Sequence, residues 1–130
     1  MRLLGHISLG VRDLNRSQAF YDAALAPLGA ARLWNFKRGI GYGPPGGNDQ
    51  LALFEHPDAT TSLAAGPGFH LALPAPDRAA VDAFHAAALA HGGTDAGPPG
   101  LRPHYGPTYY AAFVHDPDGH KLEAVHQTGD

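Results

Sequence analysis

The sequence predicts an α+β fold: two tandem βαβββ modules in one domain spanning residues 1–130, with the first module over about 1–58 and the second over about 66–128. Three observations predict it. Shifting the chain by 64 residues lays "HISLGVRDLNRSQAFYDAALAPLG" over "HLALPAPDRAAVDAFHAAALAHGG" without a gap. Each copy then reads as a short strand, a helix and further strands. Gly/Pro-rich stretches, "GYGPPGGND" and "AGPPGLRPHYGP", fall at equivalent places before later strands. In the repeat, His6 falls on His70, Asp13 on Asp77, Ala19-Phe20 on Ala83-Phe84, Ala23–Ala26 on Ala87–Ala90, and Gly29 on Gly93. Alanine richness explains part of this. It does not explain His, Asp, Phe and Gly in register, so the repeat reads as a duplication.

The elements follow in order. "HISLGV" and "HLALPA" are short runs bounded by turn residues, as strands are. Asp13 or Asn15 in the first copy and Asp77 in the second suit helix N-caps, because a short polar side chain can accept from an exposed backbone N–H. Phe20, Ala24, Tyr21 and Leu25 make an apolar face at helical spacing. Val81, Phe84, Ala88 and Leu89 do so in the second helix. Pro27 and Gly29 end one helix, and Gly92 and Gly93 end the other. The first half continues with strands "ARLWNFK", "GIGYG" and "QLALFEH". The second half continues with "YYAAFVHD" and "HKLEAVH" across the tight turn "DPDG". Both Gly/Pro-rich stretches read as loops, and neither carries the Lys-Ser/Thr of a phosphate loop.

Composition narrows function. There is no cysteine, which excludes disulfides and thiolate metal sites and fits a cytoplasmic protein. The N-terminal "MRLLGHISLG" has neither the apolar run nor the cleavage site of a signal peptide, and no window is apolar for long enough to cross a bilayer. The net charge is −3 and the basic residues are scattered, so neither nucleic acid nor a membrane is an expected partner.

Nine histidines stand out in a cysteine-free chain. His91 suits a helix C-terminus and His85 lies in a helix. His56, His115 and His120 sit at strand ends or turns, and His126 has no assigned role. The repeat singles out His6 and His70, because pseudo-symmetric modules bring equivalent positions towards a common axis. Laying "LFEH" over "KLEA", with four extra residues allowed in the second half, pairs Glu55 with Glu123. Strand alternation puts Glu55 on a face with Leu51 and Leu53, and Glu123 on a face with Lys121 and Val125. A carboxylate on such a face needs a partner. His6, His70, Glu55 and Glu123 together make a donor set for a divalent first-row metal with positions left open.

These segments, with "GFHLAL" and "AAFVHDPDGHKLEAV", resemble the vicinal oxygen chelate superfamily: glyoxalase I, fosfomycin-resistance proteins, extradiol dioxygenases and bleomycin-binding proteins. The resemblance spans nearly the whole chain, and the "DPDG-x-K-L-E" hairpin is its most specific part. It implies paired modules forming a curled mixed sheet around a metal cleft. His6 on the first strand, His70 on the fifth and Glu123 on the last would hold Zn, Ni, Mn or Fe. Glu55 stands where glyoxalase I has a fourth ligand. Glyoxalase-like lyase or isomerase chemistry on a small molecule with vicinal oxygens is then expected, with Glu123 or Glu55 as base and a homodimer as the assembly. The alternatives are an extradiol-type oxidoreductase, a fosfomycin-type transferase or a protein that sequesters a small toxic molecule. Arg102, His104, Tyr105, Tyr109 and Tyr110 would border the cleft as one wall, with Trp34, Phe36 and Tyr42 as the other.

Overall fold

The computed structural model describes residues 1–128. Its elements are β1 (Ile7–Val11), α1 (Leu14–Leu25), β2 (Ala31–Phe36), β3 (Gly39–Gly43), β4 (Leu51–Glu55), β5 (Leu71–Pro74), α2 (Arg78–Ala90), β6 (Thr94–Leu101), β7 (Tyr109–His115) and β8 (Lys121–Gln127). They form two four-stranded mixed sheets with the same plan, β1-β4-β3-β2 and β5-β8-β7-β6. In each, the first strand pairs in parallel with the last and the other pairs are antiparallel. This is the α+β arrangement of two βαβββ modules that the repeat implies.

Both helices start where the sequence says they should. Asp13 accepts from the Arg16 amide and Asp77 from the Ala80 amide. Each satisfies a donor that the first helical turn leaves unpaired. Gly29 (φ 87°) ends the turn after α1 in a left-handed conformation that favours glycine. Phe20, Tyr21 and Ala24 of α1 and Val81, Phe84 and Ala88 of α2 are wholly buried, in one core shared by both modules. Burying each large side chain is worth about 1.5–3 kcal/mol. Leu89 stays exposed, so it lies off the packed face.

One segment departs from expectation. Part of "AGPPGLRPHYGP" was expected to be loop, yet Thr94–Leu101 is β6. Proline lacks the N–H a ladder needs, so it is confined to strand edges and bulges. β6 is the outermost strand of its sheet, and its register slips around Gly97, whose φ is +156°.

The modules are joined by hydrogen bonds. Tyr21 donates to the buried Asp116 at 2.6 Å. Arg16 and the Arg12 amide reach Asp118 on the β7–β8 turn, and the His120 ring donates to the Gly10 carbonyl. No helix among the described residues is long and apolar enough to cross a membrane.

Candidate functional site

Each sheet has one face against the helices and one open face. In the C-terminal sheet, Leu122 and Ala124 belong to the helix-side core, so alternation turns Lys121, Glu123 and Val125 to the open side. On β7 the same rule turns Tyr109, Ala111, Phe113 and His115 that way, and Phe113 is in register with Glu123.

Glu123 is almost entirely buried, at 1 % exposure. Its carboxylate is held from two sides. Nε2 of His70 lies 2.8 Å from Oε1, and the Tyr109 hydroxyl donates to Oε2 at 2.5 Å. Burial, followed by the bond to Glu123, pushes the Tyr109 phenol up to about 12. The phenol therefore stays a donor at neutral pH. Phe113 forms the floor. The His70 ring meets it edge-on at 5.7 Å, the Arg102 guanidinium lies 5.6 Å from its centroid, and the Lys121 ammonium lies 5.2 Å away. Tyr105 packs on Tyr109 at 5.2 Å and His104 on Tyr105 at 4.1 Å, extending an aromatic wall outward. Arg102 also donates to the Gly100 and Pro98 carbonyls, tying β6 into the site.

Glu55 lies elsewhere, and its pairing with Glu123 is corrected. Ile7 faces Leu51, while the equivalent Leu71 faces Leu122. Leu51 therefore corresponds to Leu122, an offset of 71 residues where the alignment assumed 68. The residue equivalent to Glu123 is Ala52, and Glu55 corresponds to His126. A three-residue error in a strand reverses the face. Glu55 accordingly sits on the helix side with Leu51 and Leu53, where Oε2 accepts from the Leu14 amide at 2.9 Å. It serves the start of α1.

Tyr42, expected in the substrate wall, is also corrected. It is buried against Tyr21, and its hydroxyl donates to Asp22 at 2.8 Å. It shares the core side of β3 with Ile40, because the glycines take the other side. Trp34 and Phe36 do come together, stacked at 5.1 Å, with Phe54 6.0 Å from Trp34. A Cβ on Gly41 would stand 2.2 Å from the indole, and one on Gly39 would stand 2.9 Å from Phe54. The bare glycine face of β3 is what lets these rings lie flat. Tyr110 turns to the α2 side and donates to Asp82 at 2.6 Å.

His6 is exposed just before β1, as His70 is just before β5. Among the described residues, no three His, Asp or Glu side chains are grouped to hold a metal ion. One chain thus supplies the His70–Glu123 pair, fewer donors than the three protein ligands common at catalytic divalent sites. Sequence reasoning missed Phe113 and His115 as site residues. Their alternation with Tyr109 along "YYAAFVH" was the signal that could have found them.

Comparison with known proteins agrees with this architecture. A family model described as the glyoxalase/bleomycin resistance protein/dioxygenase superfamily matches residues 3–124. No curated protein matches. Among solved structures, a glyoxalase/bleomycin resistance protein from Albidiferax ferrireducens T118 is 35 % identical, covering 98 % of this chain and 100 % of its own, with a TM-score of 0.81. A glyoxalase-related enzyme from Fulvimarina pelagi is 25 % identical over 98 % of this chain and 89 % of its own, with a TM-score of 0.76. A genomically encoded fosfomycin resistance protein from Listeria monocytogenes shares the fold, with a TM-score of 0.70 at 20 % identity over 99 % of this chain and 96 % of its own. The βαβββ repeat, the sheet order and the family match over nearly the whole length lead to one assignment: the chain belongs to the glyoxalase/bleomycin resistance protein/dioxygenase superfamily.

Proposed function

We propose that the protein is a metal-dependent enzyme acting on a small molecule with two neighbouring oxygens, with lyase or isomerase chemistry of the glyoxalase kind. The observation that carries this is the buried Glu123 carboxylate, held by His70 and Tyr109 on an open sheet face. A buried carboxylate without a cationic residue paired to it is costly unless something else compensates it. A divalent ion would do so, and when bound it would polarise the substrate oxygens as a Lewis acid. His70 and Glu123 supply two donors. In this reading the partner subunit's His6 supplies the third in a homodimer. β1 and β5 are outermost strands with free edges, and a two-fold axis repeats each edge on a second copy. Glu123 then serves as the base for a proton beside the bound oxygens, and Tyr109 keeps its carboxylate oriented. With Glu55 on the far face of its sheet, three donors are proposed.

The test is metal uptake by tag-free protein, read together with its sedimentation. Nickel, zinc, manganese and ferrous iron are added separately. Stoichiometric uptake by a dimer, lost in His6→Ala and in His70→Ala, is the expected result. No uptake of any of the four sinks the reading. Glutathione hemithioacetals, catechols and fosfomycin then separate the reaction classes. The Trp34–Phe36–Phe54 surface favours a second reading, a protein that sequesters a flat apolar molecule. Tight binding of such a ligand with no turnover of the panel would support it.

A further inference from the structure

We propose that the cavity beside His70 is an oxyanion subsite, taking a carboxylate, phosphonate or phosphate group, with the Lys121 ammonium as its principal donor and His115 as a further one. The cavity has a volume of about 400 Å³, within the range of small-ligand sites. One side is the segment leading into β5, and the other is the β7–β8 end of the sheet. Register explains the cluster. His115 faces Lys121 across β7 and β8, and Leu71 faces Leu122 across β5 and β8, which sets His70 at the same end. Lys121 and His115 therefore converge on the cavity beside His70, and no Asp or Glu lines it.

Lys121 is half-buried, and among the described residues no carboxylate lies within 4 Å of it. Its ammonium rests near the Phe113 ring, a weaker contact than a charge-assisted hydrogen bond to an anion. The opposite wall carries two glycines with open space beside them. Gly66 (φ +102°) and Gly68 (φ +87°) flank Pro67, and a Cβ at either glycine would meet nothing within 4 Å. That wall therefore combines open glycine backbone with the Pro67 and Phe69 rings, opposite Lys121 and His115. The inference rests on the proposed function in one respect: that reading makes the occupant part of the substrate, whose oxyanion would sit beside His70 while its reacting end reaches Glu123.

The test uses the full chain freed of metal by chelator, so that its outcome does not depend on metal binding. Inorganic phosphate and, in a parallel arm, acetate are titrated at constant ionic strength, and the backbone amide resonances of residues 64–66, 68–70, 115 and 121 are followed. Saturable shifts confined to these residues in either arm are the expected result, and the arm that saturates first identifies the oxyanion. Lys121→Gln should weaken binding by about tenfold or more, the scale of one lost charge-assisted bond. His115→Gln should weaken it less, and Lys37→Gln, on the remote β2–β3 turn, not at all. The spectra report folding of each variant directly. Non-saturating shifts in both arms, or equal affinity in Lys121→Gln and wild type, overturn the proposal. Saturable phosphate or acetate binding without metal uptake would leave the subsite standing and remove the metal reading.

Discussion

Oε1 of Glu123 lies 2.8 Å from Nε2 of His70, from the inner strand β8 to the residue that leads into the outer strand β5. The parallel register of β5 and β8 begins at the next residue, with Leu71 facing Leu122, so backbone pairing holds His70 near Glu123 in addition to their own contact. Glu123→Gln keeps the shape and removes the charge. Metal affinity should fall by more than about 100-fold, since even residues that only orient a ligand are worth about 10–100-fold. Competition with a chromogenic chelator measures it, and unchanged affinity would strike Glu123 from the donor set.

Glu55 tests the register correction from the other side. Glu55→Ala removes the acceptor of the Leu14 amide at the start of α1. Stability should drop by about 0.5–2 kcal/mol, as for a lost helix cap. Metal affinity should not change. Denaturant unfolding and the same chelator competition report the two quantities, and a loss of metal would restore the four-donor set.

The Tyr21–Asp116 bond ties α1 to the second module. Burial raises the Asp116 carboxyl above its ordinary value of 3.8, while the bond from Tyr21 opposes that rise. A raised folded value means the protonated form is favoured by folding. That contribution is complete below 3.8 and is lost as pH climbs through the folded value. Tyr21→Phe removes a donor to the carboxylate and should cost about 1–3 kcal/mol at neutral pH. The cost should shrink as pH falls through the raised folded value, where the carboxylate takes up its proton. Urea melts at several pH values give the comparison, and a pH-independent cost would contradict it.

Gly41→Ala puts a methyl group where the Trp34 ring now lies, 2.2 Å from it. The ring must move, at about 1–3 kcal/mol, the usual penalty for overpacking. Trp34 is the only tryptophan, so its emission reports the displacement without interference. Unchanged emission and melting temperature would show that the ring does not rest on β3.

The repeat was legible because its carriers are local. Asp13 and Asp77 cap their own helices, and Phe20 and Phe84 recur at one helical phase whatever surrounds them. Glu55 was misread because similar letters in "LFEH" and "KLEA" stood in for hydrogen-bond register, which no single strand reveals. Three residues of slip are enough to turn a side chain from one sheet face to the other. β6 was hidden for a related reason. Pro98 and Pro99 argue against a strand unless it is known to lie at an edge, and only the assembled sheet says so. The contact of Tyr109 with Glu123 likewise belongs to pairing between strands and not to either segment alone.

Ala52 standing where the other module has Glu123 makes the duplicated scaffold directional. Its two sheets share one strand order, yet only one of them presents an acid at this position of its open face. A bound molecule therefore has no two equivalent ways to lie. Even a substrate with matching ends would be sorted into head and tail by the protein.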